Sequence, residues 1–151
     1  MNDTNMSDTR MSETCALSVE RTIPGPIDAV FDAWLDADTL KKFMTPGPGM
    51  SVPTATTDPR VGGRFHIIMK DADREIPHEG EYRVIERPHR LVFTWVSEPA
   101  GNSLVTLDFQ KLTERSTRVT LTHEKLASEM SRDGHREGWT AILEVLERVV
   151  A

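Results

Sequence analysis

The side chains of this sequence that could transfer protons or hold a polar ligand group are three histidines and one tyrosine. His78 and Tyr82 share one face of a predicted strand, and His123 lies on the apolar face of another. His135 lies four residues before Trp139 on one face of the last predicted helix. Imidazole and phenol groups can act as acids or bases, and three imidazoles plus a water can hold zinc. Because a buried polar group is costly unless it is paired, this set favours an interior cavity that holds water or a polar ligand group.

Each of these positions also has an ordinary structural interpretation. His78 and His123 lie at strand ends, where a side chain can reach solvent at the rim of the sheet. Trp95 and Trp139 suit a core or a cavity wall. The Arg21 guanidinium could meet a ligand carboxylate, but an ion pair with an acid at the sheet edge is the preferred interpretation. The candidate cavity residues are Arg21, His78, Tyr82, Trp95, His123, His135 and Trp139.

No spacing in the sequence matches a known catalytic or metal motif. There is no GxSxG, HExxH, GxxxxGK[ST] or GxGxxG pattern, and the three candidate histidines come from separate elements. The single cysteine, Cys15, excludes an intramolecular disulfide and any CxxC site. We therefore predict no metal, no cofactor and no assigned catalytic residue.

Composition and charge indicate the class of protein. The chain of 151 residues corresponds to one domain, with 38% hydrophobic and 28% charged residues, as in a soluble globular protein. A net charge of −6 argues against binding nucleic acid or anionic lipid. No apolar run reaches the roughly 18 residues of a membrane span, and no signal peptide is apparent, so a cytoplasmic location follows by default.

The chain is predicted to divide into a polar leader and one folded domain. Residues 1–14 are almost wholly polar and are predicted to be a disordered leader, with Met1, Met6 and Met11 all open as the true start. Residues 15–151 form the single predicted domain.

The elements that position the candidate residues follow from hydrophobic periodicity. Alternation predicts a first strand near residues 17–23, and six more strands between residues 50 and 123. Pro53 cannot donate to a strand ladder, which makes the second strand an edge strand. In the fourth strand His78, Tyr82 and Val84 are expected to share a face.

Three helices complete the predicted order. Two short ones follow the first strand, near residues 26–35 and 38–44, and a long one spans about residues 128–149. The fold class is therefore α+β, with the order strand, two helices, six strands and one long helix. A curved seven-stranded antiparallel sheet must cover its apolar face, and the C-terminal helix is the only element long enough to do so. The space between them is the expected ligand site.

The ordered set of short segments resembles the helix-grip, or SRPBCC, superfamily, which includes START lipid-transfer domains, polyketide cyclases and birch-pollen-type allergens. Within it the sequence is most similar to domains homologous to the C-terminal part of the activator of the heat-shock-protein-90 ATPase. The similarity covers about residues 17–149, and Phe43 stands where that family commonly carries Trp. The segments that carry it are Pro26 with Val30, Phe31, Ala33 and Trp34; Asp58 and Gly62-Gly63-Arg64-Phe65; Gly80-Glu81-Tyr82 with Val84 and Ile85; Pro88 with Arg90 to Trp95; Thr117, Val119, Leu121 and His123; and Gly138-Trp139 with Leu143 and Leu146.

The resemblance implies the helix-grip fold and leaves three functions open. The first is binding of a small hydrophobic or amphipathic molecule between the sheet and the C-terminal helix. The second is an enzyme of the cyclase or hydrolase type that uses the same cavity, with His78, Tyr82 or His123 as acid–base groups. The sequence favours this function less than binding, because it contains no catalytic motif. The third is a chaperone-associated interaction module. Both cavity hypotheses require a void above roughly 300 Å³. A homodimer and a chaperone partner remain open expectations.

Overall fold

The computed structural model describes residues 15–150, and the predicted disordered leader, residues 1–14, lies outside this range. The order of elements is the predicted one. The strands and helices are β1 (Leu17–Ile23), α1 (Ile27–Ala33), α2 (Ala37–Phe43), β2 (Met50–Thr57), β3 (Arg64–Asp71), β4 (Arg74–Glu86), β5 (Arg90–Ser97), β6 (Gly101–Thr113), β7 (Ser116–Glu124) and α3 (Glu129–Val150).

All seven strands form one antiparallel sheet in the order β1-β7-β6-β5-β4-β3-β2. From β2 to β7 each strand pairs with the next along the chain, because short polar turns connect them. β1 returns to pair with β7, so that β1 and β2 are the two edges. The prediction that the strand containing Pro53 lies at an edge is confirmed.

Local sequence explains where the two short helices begin. Pro26 immediately precedes α1 with an extended backbone, and Asp28 lies in the first turn, where its carboxylate faces the positive end of the helix dipole. The Asp36 side chain caps α2 by accepting a hydrogen bond from the backbone N–H of Thr39 at 3.0 Å. Both helices bury their apolar faces, since Phe31 and Phe43 are completely inaccessible to solvent.

The long helix α3 covers the apolar face of the sheet. Its buried residues are Trp139, Ile142, Leu143 and Leu146, which follow a helical period. They belong to the same core as Leu121 of β7 and the other inward residues of the sheet. This is the predicted helix-grip arrangement, and the fold class is confirmed. Among residues 15–150, no helix is both long enough and apolar enough to cross a membrane.

The prediction that Tyr82 and Val84 share a face of β4 is wrong. Tyr82 pairs with Phe93, but Val84 pairs with Val92, so the register shifts by one residue between them. Such a bulge inserts an extra residue and reverses the alternation beyond it. Ile85 therefore packs against the core.

Arg21 forms an ion pair between the sheet edge and α3. Its Nε lies 3.3 Å from Oε1 of Glu147, and the two side chains are 34% and 37% exposed. The interaction ties β1 to the C-terminal half of the helix, away from the candidate aromatic residues.

A double-mutant cycle with Arg21→Gln and Glu147→Gln is expected to give a coupling energy of at most about 1 kcal/mol, because partly exposed ion pairs gain little over hydration. Urea unfolding of the four proteins measures it, and the coupling should weaken further in 1 M salt. A coupling above about 2 kcal/mol would contradict this assignment, since it would require a desolvated pair.

Candidate functional site

A cavity of about 430 Å³ lies between the sheet and the N-terminal half of α3. Strands β2 to β5 supply one wall and α3 supplies the other, while the segments after α2 and β5 contribute one proline each. The lining residues are Pro46, Met50, Met69, Ile76, His78, Trp95, Pro99, Ser128, Met130, Ser131, Gly134, His135, Gly138, Trp139 and Ile142.

Small residues on α3 leave this space open. A Cβ at Gly134 would meet nothing within 4 Å, so a turn of the helix faces the cavity without a side chain. Gly138, one turn further on, lets the helix approach the loop after α2, since a Cβ there would lie 3.1 Å from Cβ of Pro46. Closer to the C-terminus, Ile142 and Leu146 are buried and the helix packs directly on the sheet.

The cavity wall is mostly apolar and aromatic. The Trp95 and Trp139 ring centroids lie 5.1 Å apart, and the His78 ring lies 4.9 Å from that of Trp95. The polar side chains of the lining are those of two serines, the indoles, His78 and His135, and none of the lining residues is Asp, Glu, Lys or Arg. Such a surface suits a mostly hydrophobic molecule with few polar groups.

His123 lies behind this wall at the centre of a hydrogen-bonded chain. The Trp139 indole N–H donates to Nδ1 of His123 at 2.9 Å, and Nε2 of His123 lies 2.7 Å from Oγ of Ser103. The Ser103 hydroxyl donates to the backbone carbonyl of Trp95 at 2.6 Å. An indole nitrogen can only donate and a carbonyl can only accept. His123 is therefore neutral, with its proton on Nε2 and directed at Ser103.

These hydrogen bonds make His123 a structural group that joins α3 to three neighbouring strands. The side chain is 0% exposed, and burial, assisted by the nearby His135, lowers its pKa to about 3. Protonation would also place a second N–H against the Trp139 donor. Both ring nitrogens are already occupied, which leaves no lone pair of His123 for a metal.

His135 is bonded within its own helix. Its Nδ1 donates to the Ser131 backbone carbonyl at 2.7 Å, and Oγ of Ser131 lies 3.3 Å from the same nitrogen. The Ser131 hydroxyl donates instead to the Pro99 carbonyl at 2.6 Å. Burial lowers the pKa of His135. In both Ser–His contacts the serine proton goes to a carbonyl, so neither imidazole is placed to deprotonate a serine nucleophile.

His78 lines the cavity, and its ring hydrogen-bonds to the backbone. Its Nδ1 donates to the Ile76 backbone carbonyl at 3.0 Å, which makes Nε2 the acceptor nitrogen of the neutral ring. Burial lowers the pKa of His78 to about 4, although backbone hydrogen bonds to Ile76 and Ile67 oppose the shift. The ring is therefore uncharged at neutral pH.

Two of the seven predicted site residues lie away from the cavity altogether. Arg21 is paired with Glu147. Tyr82, only 2% exposed, lines a separate void of about 10 Å³ deeper in the core, between Trp34 and Phe93. Burial, followed by the charge of Asp58, raises the pKa of Tyr82. The cavity thus brings together His78, Trp95, His135 and Trp139, with His123 one contact behind them.

Two indole N–H groups are buried without a partner among the residues that the structure describes: Trp34 Nε1 and Trp95 Nε1. Trp95 lines both the cavity and the small void, whereas Trp34 lines the small void. A buried donor without an acceptor costs about 1–3 kcal/mol.

Several site residues were not found from the sequence, although patterns for them exist. Ser103 shares strand parity with Val105 and Leu107, which would have placed it inward. Met130, Gly134 and Gly138 are spaced four residues apart on one helix face. Within residues 15–150, no group of three or more His, Cys, Asp or Glu side chains is arranged to hold a metal ion.

Comparison with known proteins gives a consistent family. The family model described as activator of Hsp90 ATPase homolog 1-like protein matches residues 24–151. No curated protein sequence matches the chain significantly.

Several solved structures are similar to this one. An AHSA1-like protein from Aeromonas hydrophila is 27% identical with a TM-score of 0.73, covering 89% of this chain and 91% of its own. A protein from Nitrosomonas europaea is 22% identical with a TM-score of 0.77, covering 91% and 95%. An Hsp90 activator from Plasmodium falciparum is 23% identical with a TM-score of 0.70, covering 89% and 95%. With the family match, the element order and the sheet topology in agreement, the chain belongs to the family of activator of Hsp90 ATPase homolog 1-like proteins.

Proposed function

We propose that this protein binds a small, mostly apolar molecule in the cavity between the sheet and α3. The observation that carries the proposal is the cavity itself. Its volume of about 430 Å³ exceeds the roughly 300 Å³ that ligand binding requires. Its size is within the range of small-molecule sites, about 300–1,000 Å³. Met130, which is 85% exposed, adds an apolar side chain to the lining.

The internal hydrogen bonds support binding rather than proton-transfer catalysis. Of the three acid–base candidates, His123 has both nitrogens engaged, and Tyr82 lies outside the cavity. His78 is the candidate that lines the cavity, and its pKa of about 4 makes it a weak base at neutral pH. A catalytic role would require one weak base to act without a second acid–base group from the predicted set.

Filling the cavity from α3 is expected to weaken binding without unfolding the protein. Gly134 lines the cavity, and a Cβ there would have no neighbour within 4 Å, so we expect Gly134→Phe to be accepted without a backbone clash and its ring to take up cavity space. We expect ligand affinity to fall at least about tenfold, a loss of about 1.4 kcal/mol. Native mass spectrometry of freshly purified protein, followed by a thermal-shift screen of metabolites, measures retained and added ligands.

Gly134→Ala is the matched control. It should leave binding intact and stabilise the protein by about 0.5–1 kcal/mol, because alanine favours a helix over glycine. If Gly134→Phe binds the same compounds as strongly as the wild type, the ligand does not occupy this cavity and the proposal fails.

Contact with Hsp90 is a second candidate, favoured by the family match and by the naming of the Plasmodium falciparum relative as an Hsp90 activator. Purified Hsp90 provides the test, with ATP hydrolysis as the readout. Stimulation that survives Gly134→Phe would favour a surface contact that is independent of the cavity. A rate unchanged by added protein would count against this candidate.

A further inference from the structure

Among the residues that the structure describes, those that line the cavity carry no permanent charge, since none of them is Asp, Glu, Lys or Arg. The buried members of the lining, called the floor, are Met69, His78, Trp95, Trp139 and Ile142. The half-buried and exposed members, called the rim, are Pro46, Met50, Ile76, Pro99, Ser128, Met130, Ser131, Gly134, His135 and Gly138. A ligand would therefore meet uncharged residues at the rim as well as at the floor.

The two imidazoles of the lining do not supply a charge at neutral pH. Burial, above all, lowers the pKa of His78 to about 4; the charges of His135 and His66 act in the same direction, and backbone hydrogen bonds oppose the shift. Burial also lowers the pKa of His135. The ring of His123, whose centroid lies 5.0 Å from that of His135, has a pKa lowered to about 3. All three rings are therefore neutral at pH 7.

The indoles of the floor are packed against other rings of the protein and are not free to hold a cation. The Trp95 ring centroid lies 4.9 Å from that of His78 and 5.1 Å from that of Trp139. It also lies 6.0 Å from the Phe65 centroid. Trp95 and Trp139 are each only 2% exposed. A cation is attracted to an aromatic face that it can approach, and almost none of either indole is accessible.

A charged ligand group enclosed by this wall would lose its hydration and gain no opposite charge in return. That exchange is costly for an anion and for a cation, whereas burial of hydrocarbon is favourable. We propose that the cavity selects uncharged molecules and excludes anions and cations of similar shape. A charged group is tolerated only outside the rim, where water still hydrates it. This inference rests on the proposed binding function and assigns the ligand to the class of uncharged hydrophobic molecules.

Three probes of similar shape test this charge selection: 4-tert-butylphenol, (4-hydroxyphenyl)trimethylammonium and 4-hydroxybenzenesulfonate. They differ in one tetrahedral group, which is uncharged, positive or negative at pH 7. Calorimetric titration at pH 7 is expected to show the uncharged phenol binding at least about tenfold more tightly than either ion. The net charge of −6 would by itself favour the cation over the anion. A loss of affinity for both signs therefore identifies the wall of the cavity as the cause.

Gly134→Asp and Gly134→Asn form a matched pair, because the two new side chains have nearly the same size and differ in charge. Gly134 lines the cavity, and a Cβ there would meet nothing within 4 Å. We expect the trimethylammonium probe to bind about threefold more tightly to Gly134→Asp than to Gly134→Asn, as for a partly exposed ion pair. The uncharged phenol should bind equally to the two variants.

The outcomes separate this inference from the binding proposal. Wild-type protein that binds either ion as tightly as the uncharged phenol, or more tightly, would overturn charge selection and leave cavity binding standing. Equal affinity of the ammonium probe for folded Gly134→Asp and Gly134→Asn would also overturn it, because charge in the wall would then not govern affinity. Failure of all three probes to bind would count against both proposals.

Discussion

Replacing His123 with alanine is expected to lower the free energy of unfolding by about 3–5 kcal/mol, the range for large-to-small changes in a closely packed core with broken hydrogen bonds. The side chain is 0% exposed, so its removal leaves a void that the surrounding strands cannot fill without moving. The substitution also removes the acceptor of the Trp139 indole N–H and the donor to Ser103.

Equilibrium unfolding in urea at pH 7 measures this loss. His89→Ala is the matched control, because it makes the same substitution at an exposed position, and it should change stability by less than about 0.5 kcal/mol. Near-ultraviolet circular dichroism of the folded His123→Ala protein should also change, since Trp139 loses its hydrogen bond. A loss below about 1 kcal/mol would mean that the hydrogen bonds from Trp139 through His123 to Ser103 do not exist in solution.

Acidification from pH 7 to pH 5 is expected to destabilise the protein by about 2 kcal/mol for each of His123 and His78, about 4 kcal/mol together. Burial lowers the pKa of His123 to about 3 and that of His78 to about 4, against 6.5 for an ordinary histidine. The unfolded chain therefore takes up protons below pH 6.5 that the folded protein does not. The stability that comes from keeping these two imidazoles uncharged is fully present above pH 6.5. It is lost as the pH falls towards the pKa values of the two histidines in the folded protein. The lowered pKa of His135 adds in the same direction.

Urea unfolding at half-unit steps between pH 7.5 and pH 5 tests the acid sensitivity. His78→Leu should remove roughly half of the slope that these two histidines produce, since a leucine binds no proton in either state. Met130→Ala is a suitable control, because it changes an exposed, uncharged side chain of the same cavity. A stability that is flat over this range, or a slope that His78→Leu leaves unchanged, would show that these imidazoles are protonated in the folded protein.

Much of the fold was predictable because it depends on local periodicity. The alternation in β3 and β6, the helical stripe that contains Trp139 and Leu143, and the turns between strands each depend on residues close together in the chain. The edge position of β2 was predictable for an equally local reason, because Pro53 has no backbone N–H to donate to a neighbouring strand. The same alternation failed at Val84, because a bulge depends on how two strands pair and not on one strand alone.

The candidate site was predictable only in part. The alternation of residues along β4 correctly predicted that Tyr82 points inward. It does not predict whether an inward side chain meets a cavity or the packed core, and in the structure this side chain lies in the core. Arg21 likewise shares a face with core residues, yet its long side chain reaches Glu147 at the end of the helix.

By itself the sequence determined the order of the elements, the antiparallel sheet with its apolar face and the long helix that covers that face, because backbone geometry imposes a period of two on strands and 3.6 on helices. Only the tertiary structure decided where helix and sheet separate to leave about 430 Å³, and which polar side chains meet across that space. It joined His123 to Trp139 and left the Trp95 indole without a partner among residues 15–150. The physical reason is that cavities and hydrogen-bond partners depend on the curvature of the sheet and on contacts between residues far apart in the chain, which no local period encodes.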